Sequence, residues 1–232
     1  MTKWPKKLPE LSDRQIEIKN DFMYYILEEF PKIGGGIREK FSYSHPVKHT
    51  PKGGRVLDIG VGAGDALDYE SLDELEYTAV ELLPELAKKA HKNHPKAGVI
   101  IADSQGHLPF SDNTFDRVKA LDVLEHLPDL PLALSEIYRV LKPNGVFCVA
   151  IPTEGLPNKL AHMLYTNRMF KKRYGTDCYW WLDSEHINRP WEVIEELEKY
   201  FTIKRKDFFP FVLPIRLINL ALAMILFPKK NQ

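Results

Sequence analysis

The stretch from Arg55 to Asp65, Arg-Val-Leu-Asp-Ile-Gly-Val-Gly-Ala-Gly-Asp, constrains this chain more than any other. A short apolar run, Val56 to Ile59, reads as a buried strand. It breaks at once into Gly60, Gly62 and Gly64. Glycines so placed let the chain turn sharply and let a ligand touch bare backbone. Asp58 stands at the strand's exit, where open α/β sheets hold their ligands.

Two ligand classes compete for such a loop, beside the bland alternative of a structural turn, because Gly-x-Gly pairs alone are weak signals. A dinucleotide site, Gly-x-Gly-x-x-Gly, needs glycine at position 65, which is Asp65. Pyrophosphate is held at a helix N-terminus. Asp65 would open that helix, and Asp68, Glu70, Asp73 and Glu74 follow. These carboxylates repel a diphosphate and tolerate a ligand bearing positive charge.

Strand and helix patterns alternate downstream, the sign of a parallel, doubly wound sheet. A short helix fits before the strand Tyr77 to Leu82. Glu81 closes that strand at about the 20-residue spacing at which an acid meets ribose hydroxyls. Pro84 opens a helix that runs to about Asn93. Val99 to Ala102 is a third strand, ending at Asp103-Ser104. Phe115 to Leu121 is a fourth, followed by Asp122-Val-Leu-Glu-His126-Leu-Pro128. A helix spans Pro131 to Leu141, and after Lys142-Pro-Asn-Gly145 a fifth strand runs to Ile151.

Asp58-x-Gly60-x-Gly62-x-Gly64 resembles motif I of the class I S-adenosylmethionine-dependent methyltransferases. Their ligand carries a sulfonium cation and no phosphate. Leu124-Glu-His-Leu127 and Leu141-Lys-Pro-Asn-Gly145 are similar to further segments of that family, in the same order, so the resemblance covers about residues 50 to 155. It implies a Rossmann-like, doubly wound, mostly parallel sheet of seven (or six) strands. It also implies an S-adenosylmethionine site built from Asp58, Gly60, Gly62, Gly64, Glu81, Leu82, Asp103, Ser104 and Leu121. Asp103 would accept a hydrogen bond from the adenine amino group. The function implied is methyl transfer to a small-molecule or lipid-linked acceptor. A nicotinamide-dependent oxidoreductase and a non-catalytic S-adenosylmethionine-binding module are the alternatives.

A hydroxyl acceptor needs a base. His126 and His186 are the candidates, each also readable as structural. No metal ligand is expected, since no acidic cluster of the catechol-methyltransferase kind appears. The Asn-Pro-Pro-aromatic motif of amino methyltransferases and a cytosine-enzyme Pro-Cys loop are both absent. Lys and Arg total 32, as do Asp and Glu, so charge gives no reason to expect nucleic acid.

The boundaries follow: an N-terminal helical cap over 1–50, and a cofactor domain over 51–232 with an insertion at 153–189 and an apolar tail at 211–227. Residues 1 to about 10 read as loose. Ser12 and Gln15 have capping-box spacing for a helix extending to Pro31, and Gly34 to Gly36 form a hinge-like break. The aromatic residues of the insertion read as packing or as a substrate wall. Pro190 to Tyr200 is a helix and Phe201 to Phe209 a strand, antiparallel in the family topology. The tail has helix-favouring Leu, Ala and Met. It is too short to span a bilayer and either packs on the domain or meets lipid, with Lys229 and Lys230 at the headgroups. Two cysteines without metal spacing and no signal-peptide pattern predict a cytoplasmic protein, with peripheral membrane contact as the sharper reading.

Overall fold

The computed structural model describes residues 3–28, 36–45 and 52–229. Its centre is a seven-stranded sheet in the order β3-β2-β1-β4-β5-β7-β6. The strands are β1 (Arg55–Ile59), β2 (Glu76–Glu81), β3 (Gly98–Ile101), β4 (Phe115–Leu121), β5 (Leu141–Pro152), β6 (Phe201–Phe209) and β7 (Ala221–Pro228). The first five are parallel, and β7 runs antiparallel between β5 and β6, so Phe201–Phe209, expected to be antiparallel, instead runs parallel to the first five and the reversed strand is the one after it. The described helices are α1 (Asp13–Glu28), α2 (Ile37–Ser44), α3 (Pro84–Asn93), α4 (Leu130–Val140), α5 (Leu156–Ala161), α6 (Asn167–Tyr174), α7 (Tyr179–Glu185) and α8 (Pro190–Tyr200).

Strand alternation sorts the two faces. Leu57, Ile59, Val118, Ala120, Phe147, Val149, Leu222, Met224 and Leu226 point to one side, where they bury against α4 and α8. Pro131 stands in the first turn of α4, and the Asp129 carboxylate accepts the Leu132 N–H at 3.3 Å. On the other face Val56, Tyr77 and Ala79 pack with Val61, Leu67 and Ala90 of α3.

That second face also holds a fully enclosed charge network. Arg117 Nη2 lies 2.6 Å from Glu70 Oε2. Lys119 Nζ lies 3.3 Å from Glu70 Oε1 and 3.1 Å from Asp58 Oδ2. Tyr77 donates its hydroxyl hydrogen to Asp58 Oδ2 at 2.8 Å. The network sits where the crossover after β1 is short. The expected helix is a 3₁₀ turn of five residues, Asp65–Tyr69, followed by a second at Leu72–Glu74. So short a turn carries little dipole, and the helix-terminus argument against a diphosphate reduces to the exposed charge of Asp65.

Two expectations for the ends of the chain are corrected. The N-terminal residues are tied down: Trp4 donates its indole N–H to Glu196 Oε1 at 3.0 Å, and Lys6 pairs with Glu192 at 2.5 Å. The apolar tail does not form a helix. Residues 221–226 are a buried strand, because the pairing edges of β5 and β6 outweigh helix propensity. Lys229 consequently lies at the far end of that strand, about 26 Å from Ala221 at about 3.3 Å per residue, and holds Tyr200 and Tyr138 through its backbone. Lys230 and the glycines at 34 and 35 lie outside the described residues, as does the predicted run of α1 beyond residue 28. The Ser12–Gln15 capping box is present in both directions, at 3.0 and 3.4 Å.

The aromatic insertion divides: Tyr165 and Tyr179 are exposed beside cavities, and the others pack. Phe170, Tyr174, Trp180 and Trp181 close a small second core with Phe22 and Tyr25 of α1. Phe22 meets Phe170 and Trp181 edge-on at 4.9 and 4.8 Å between centroids. α1 therefore packs on the insertion, while α2 lies against the 3₁₀ turn after the glycine loop and against β7.

Candidate active site

The three glycines do different work. All have positive φ, +70°, +59° and +94° in order. A Cβ on Gly60 would sit 2.5 Å from Val123 Cγ2, and one on Gly64 2.9 Å from His94 Cδ2 and 3.3 Å from the Ala90 backbone. Gly60 and Gly64 are glycine because the protein fills the space. A Cβ on Gly62 would meet nothing within 4 Å, so this is the position open to a ligand. Its N–H donates to Glu81 Oε2 at 2.9 Å, and Leu83 N–H donates to Glu81 Oε1 at 2.9 Å. The acid closing β2 is thereby fixed beside the loop.

Beyond Glu81 the carboxyl ends of β2 and β3 present exposed aliphatic side chains, Leu82 at 59% and Ile101 at 56%. Asp103 is exposed beside them and accepts the Gln105 N–H at 2.9 Å. Open space at a glycine, a fixed carboxylate, uncovered aliphatic surface and a second carboxylate form a set suited to a nucleoside.

Three residues of the expected set differ from that role. Asp58 is 2% exposed, and its carboxylate is engaged by Lys119 and Tyr77 beneath the loop. Its position two residues before Gly60 turns it onto the face that carries Lys119. Burial pushes its carboxyl pKa up, against the pull of Lys119 and Tyr77. Leu121 is packed with Ala66, Ala150 and Tyr43, and Ser104 is buried.

The other half of the site lies after β4. Asp122 takes a left-handed φ of +56°, rare outside glycine, and its Oδ1 pairs with Arg38 Nη2 of α2 at 2.5 Å. The turn Leu124–His126 follows. His126 and His186, 60 residues apart in sequence, meet edge-on with centroids 5.2 Å apart. Buried Asn188 joins their two loops. It donates through Nδ2 to Leu124 O at 2.8 Å and Leu127 O at 2.7 Å, and its N–H donates to Glu125 O at 2.9 Å.

His126 Nδ1 lies 2.8 Å from Glu185 O. A carbonyl only accepts, so Nδ1 carries the proton and Nε2 keeps its lone pair. Burial lowers the pKa of both rings, that of His186 to about 3, with neighbouring His126 adding to the effect. Both are neutral at pH 7. Burial pushes the Glu125 carboxyl well up, with Asp122 adding to it. A cavity of about 610 Å³ opens here, lined among others by Arg38, Asp122, Glu125, His126, Tyr165 and His186. A second of about 380 Å³ lies on the far side of His162 and His186.

Comparison with known proteins shows what part of this layout is similar to. Residues 57–149 match the family described as "Methyltransferase domain". Residues 57–149 thus carry a methyltransferase domain. It is 35% identical over 129 residues to a ubiquinone/menaquinone biosynthesis C-methyltransferase of Desulfotalea psychrophila, covering 54% of this chain and 50% of that one. It is 36% identical over 107 residues to a sterol 24-C-methyltransferase of Schizosaccharomyces pombe, covering 42% of this chain and 27% of that one. The chain thus spans half or less of the length of these curated relatives. Its fold is shared with the PH0226 protein of Pyrococcus horikoshii at TM-score 0.62 and 22% identity, over 89% of this chain and 99% of that chain. S-adenosylmethionine is the family's cofactor, and the open space at Gly62 beside Glu81, Leu82 and Asp103 has the chemistry a nucleoside needs.

Sequence reasoning named both histidines that the structure brings together. It missed Arg38, Glu125 and Asn188. Glu125 had a signal, an acid beside a histidine in the turn after β4. The other two are defined by contacts across 61 to 84 residues, which no local pattern records.

Proposed function

We propose that this chain transfers a methyl group from S-adenosylmethionine to a small-molecule or lipid-like acceptor held in the cavity beside His126 and His186. The observation that carries the reading is the open space at Gly62 flanked by Glu81, Leu82 and Asp103, with that cavity on the other side of β1. The cofactor supplies an already activated methyl group, so the chain's task is positioning. Glu81 offers two oxygens to a vicinal diol, and Leu82 and Ile101 give the base an apolar surface. Neutral His126 offers its Nε2 lone pair to an acceptor proton. Helix α2 caps the site through the Arg38–Asp122 pair.

Titration calorimetry with S-adenosylhomocysteine tests the cofactor half. Wild type should bind, and Glu81→Ala should weaken binding at least about tenfold, the scale of one hydrogen bond to a charged group. No heat from wild type at millimolar ligand overturns the reading. A labelled-methyl assay over lipid and metabolite extracts tests transfer itself. Binding without any labelled product would leave a cofactor-binding module.

The lipid-like part of the proposal is supported by the surface around the second cavity. Asn219, fully buried, accepts the Phe211 N–H at 2.8 Å and donates to Leu213 O at 3.0 Å and Ile215 O at 2.9 Å. It thereby fixes a loop that holds Val212 92% and Leu213 59% exposed. Asn158 of α5 donates to Leu220 O at 3.1 Å, and exposed Leu156, Leu160, Met163 and Leu164 continue the apolar surface. Among the described residues no helix is long and apolar enough to cross a membrane, so such contact would be interfacial. The Val212→Asp/Leu213→Asp variant should lose liposome co-sedimentation while keeping its fold. Equal sedimentation of variant and wild type removes the membrane part of the proposal.

A further inference from the structure

We propose that Glu125, His126 and His186 form a binding site for a divalent first-row transition-metal ion, opening on the cavity that takes the methyl acceptor. The three residues offer one carboxylate oxygen and two imidazole nitrogens, all within 4.8 Å of one another. Metal–ligand bonds of about 2.0–2.2 Å need donors about 3–3.5 Å apart. Small side-chain rotations close that difference.

Three observations point to a cation here. The first is the charge pattern. Asp122 faces Arg38, Glu154 faces Arg189 at 3.1 Å, and Glu185 faces Lys19 at 2.7 Å. Among the described residues Glu125 has no lysine or arginine within ion-pair distance, and its nearest charge-capable partner is His126 Nε2 at 3.9 Å. The second is an unmet polar atom. Glu125 is 2% exposed, and its Oε2 has no hydrogen-bond partner, an arrangement that costs free energy unless something fills it. The third is orientation. His126 gives its Nδ1 hydrogen to Glu185 O, the outer contact that metal-binding histidines make to fix ring and tautomer. Asn188 meanwhile clamps the turn carrying Glu125 and His126 to the loop carrying His186.

Two imidazoles and a carboxylate suit zinc, cobalt or ferrous iron better than calcium or magnesium. Three protein ligands leave coordination positions open, as in catalytic rather than structural sites. An ion there would lower the pKa of an acceptor hydroxyl or enol bound to it. That role rests on the methyl-transfer reading, whereas the site itself does not.

The test is titration of metal-free full-length protein with cobalt(II) chloride, read by visible absorption. One equivalent should bind to wild type. His126→Ala, His186→Ala and Glu125→Gln should each weaken binding at least about tenfold, since even outer-shell changes do so by 10 to 100-fold. Circular dichroism confirms the fold of each variant, and near-isosteric Glu125→Gln keeps the comparison readable if a histidine variant does not fold. No cobalt uptake by wild type, or equal uptake by wild type and folded variants, overturns the site. Calorimetry with S-adenosylhomocysteine on the same metal-free protein separates the two proposals: cofactor binding without cobalt uptake removes the metal site alone, and cobalt uptake without cofactor binding removes methyl transfer alone.

Discussion

Gly62→Val should abolish S-adenosylhomocysteine binding and leave a folded protein, whereas Gly64→Val should destabilise it by about twice as much. The two positions share a motif and a left-handed backbone, and differ in what a side chain would meet. At Gly62 the substitution costs strain alone, about 1–3 kcal/mol for a residue held in a disfavoured region. The added methyl groups then occupy open space that a ligand needs. At Gly64 the same strain is joined by a clash with His94 and the Ala90 backbone, and overpacking adds about 1–3 kcal/mol more. Urea unfolding and calorimetry on the two variants separate these outcomes. Normal ligand affinity in Gly62→Val would mean that the loop is not the cofactor's contact.

The second large effect is expected from Glu70. Its carboxylate bridges Arg117 and Lys119 in a region sealed from solvent. Glu70→Ala leaves buried positive charge with Asp58 as the remaining anion beside Lys119. Breaking a buried pair from one side costs about 3–5 kcal/mol. A folded domain retains only about 5–15 kcal/mol in total, so the variant should lose about a third or more of its stability. The double variant Glu70→Leu/Arg117→Met removes opposite charges together and should recover much of the loss. Urea midpoints for the single and double variants give the coupling directly. If Glu70→Ala unfolds at the wild-type urea concentration, the network is not a stability element.

The parallel half of the sheet was legible because each strand is a short apolar run ending in a residue with a job: Ile59 at the glycines, Glu81, and Ile101 before Asp103. The helix Pro190–Tyr200 and the strand Phe201–Phe209 were legible in the same way, from a proline at the helix start and alternation after it. β7 was not. Ala-Leu-Ala-Met-Ile-Leu favours a helix in isolation, and two waiting strand edges reverse that preference. The neighbours of Asp58 were not legible, because strand parity decides them, and its partner Lys119 stands 61 residues later. The histidines were visible one at a time. Their meeting depends on Asn188, whose local sequence says nothing about the turn it clamps.

The position of β7 has a consequence for how the molecule is made. It is the last strand in sequence, yet it lies inside the sheet, and β6 reaches the sheet only through it. Until residue 221 is available, β5 presents a bare hydrogen-bonding edge and β6 has no docking surface. Unpaired apolar edges of this kind invite association between nascent copies, and pairing between strands so far apart in sequence, such as Phe147 with Leu226, is slow. A chaperone that shields the β5 edge should therefore raise the soluble yield of this protein more than one acting on its early βα units.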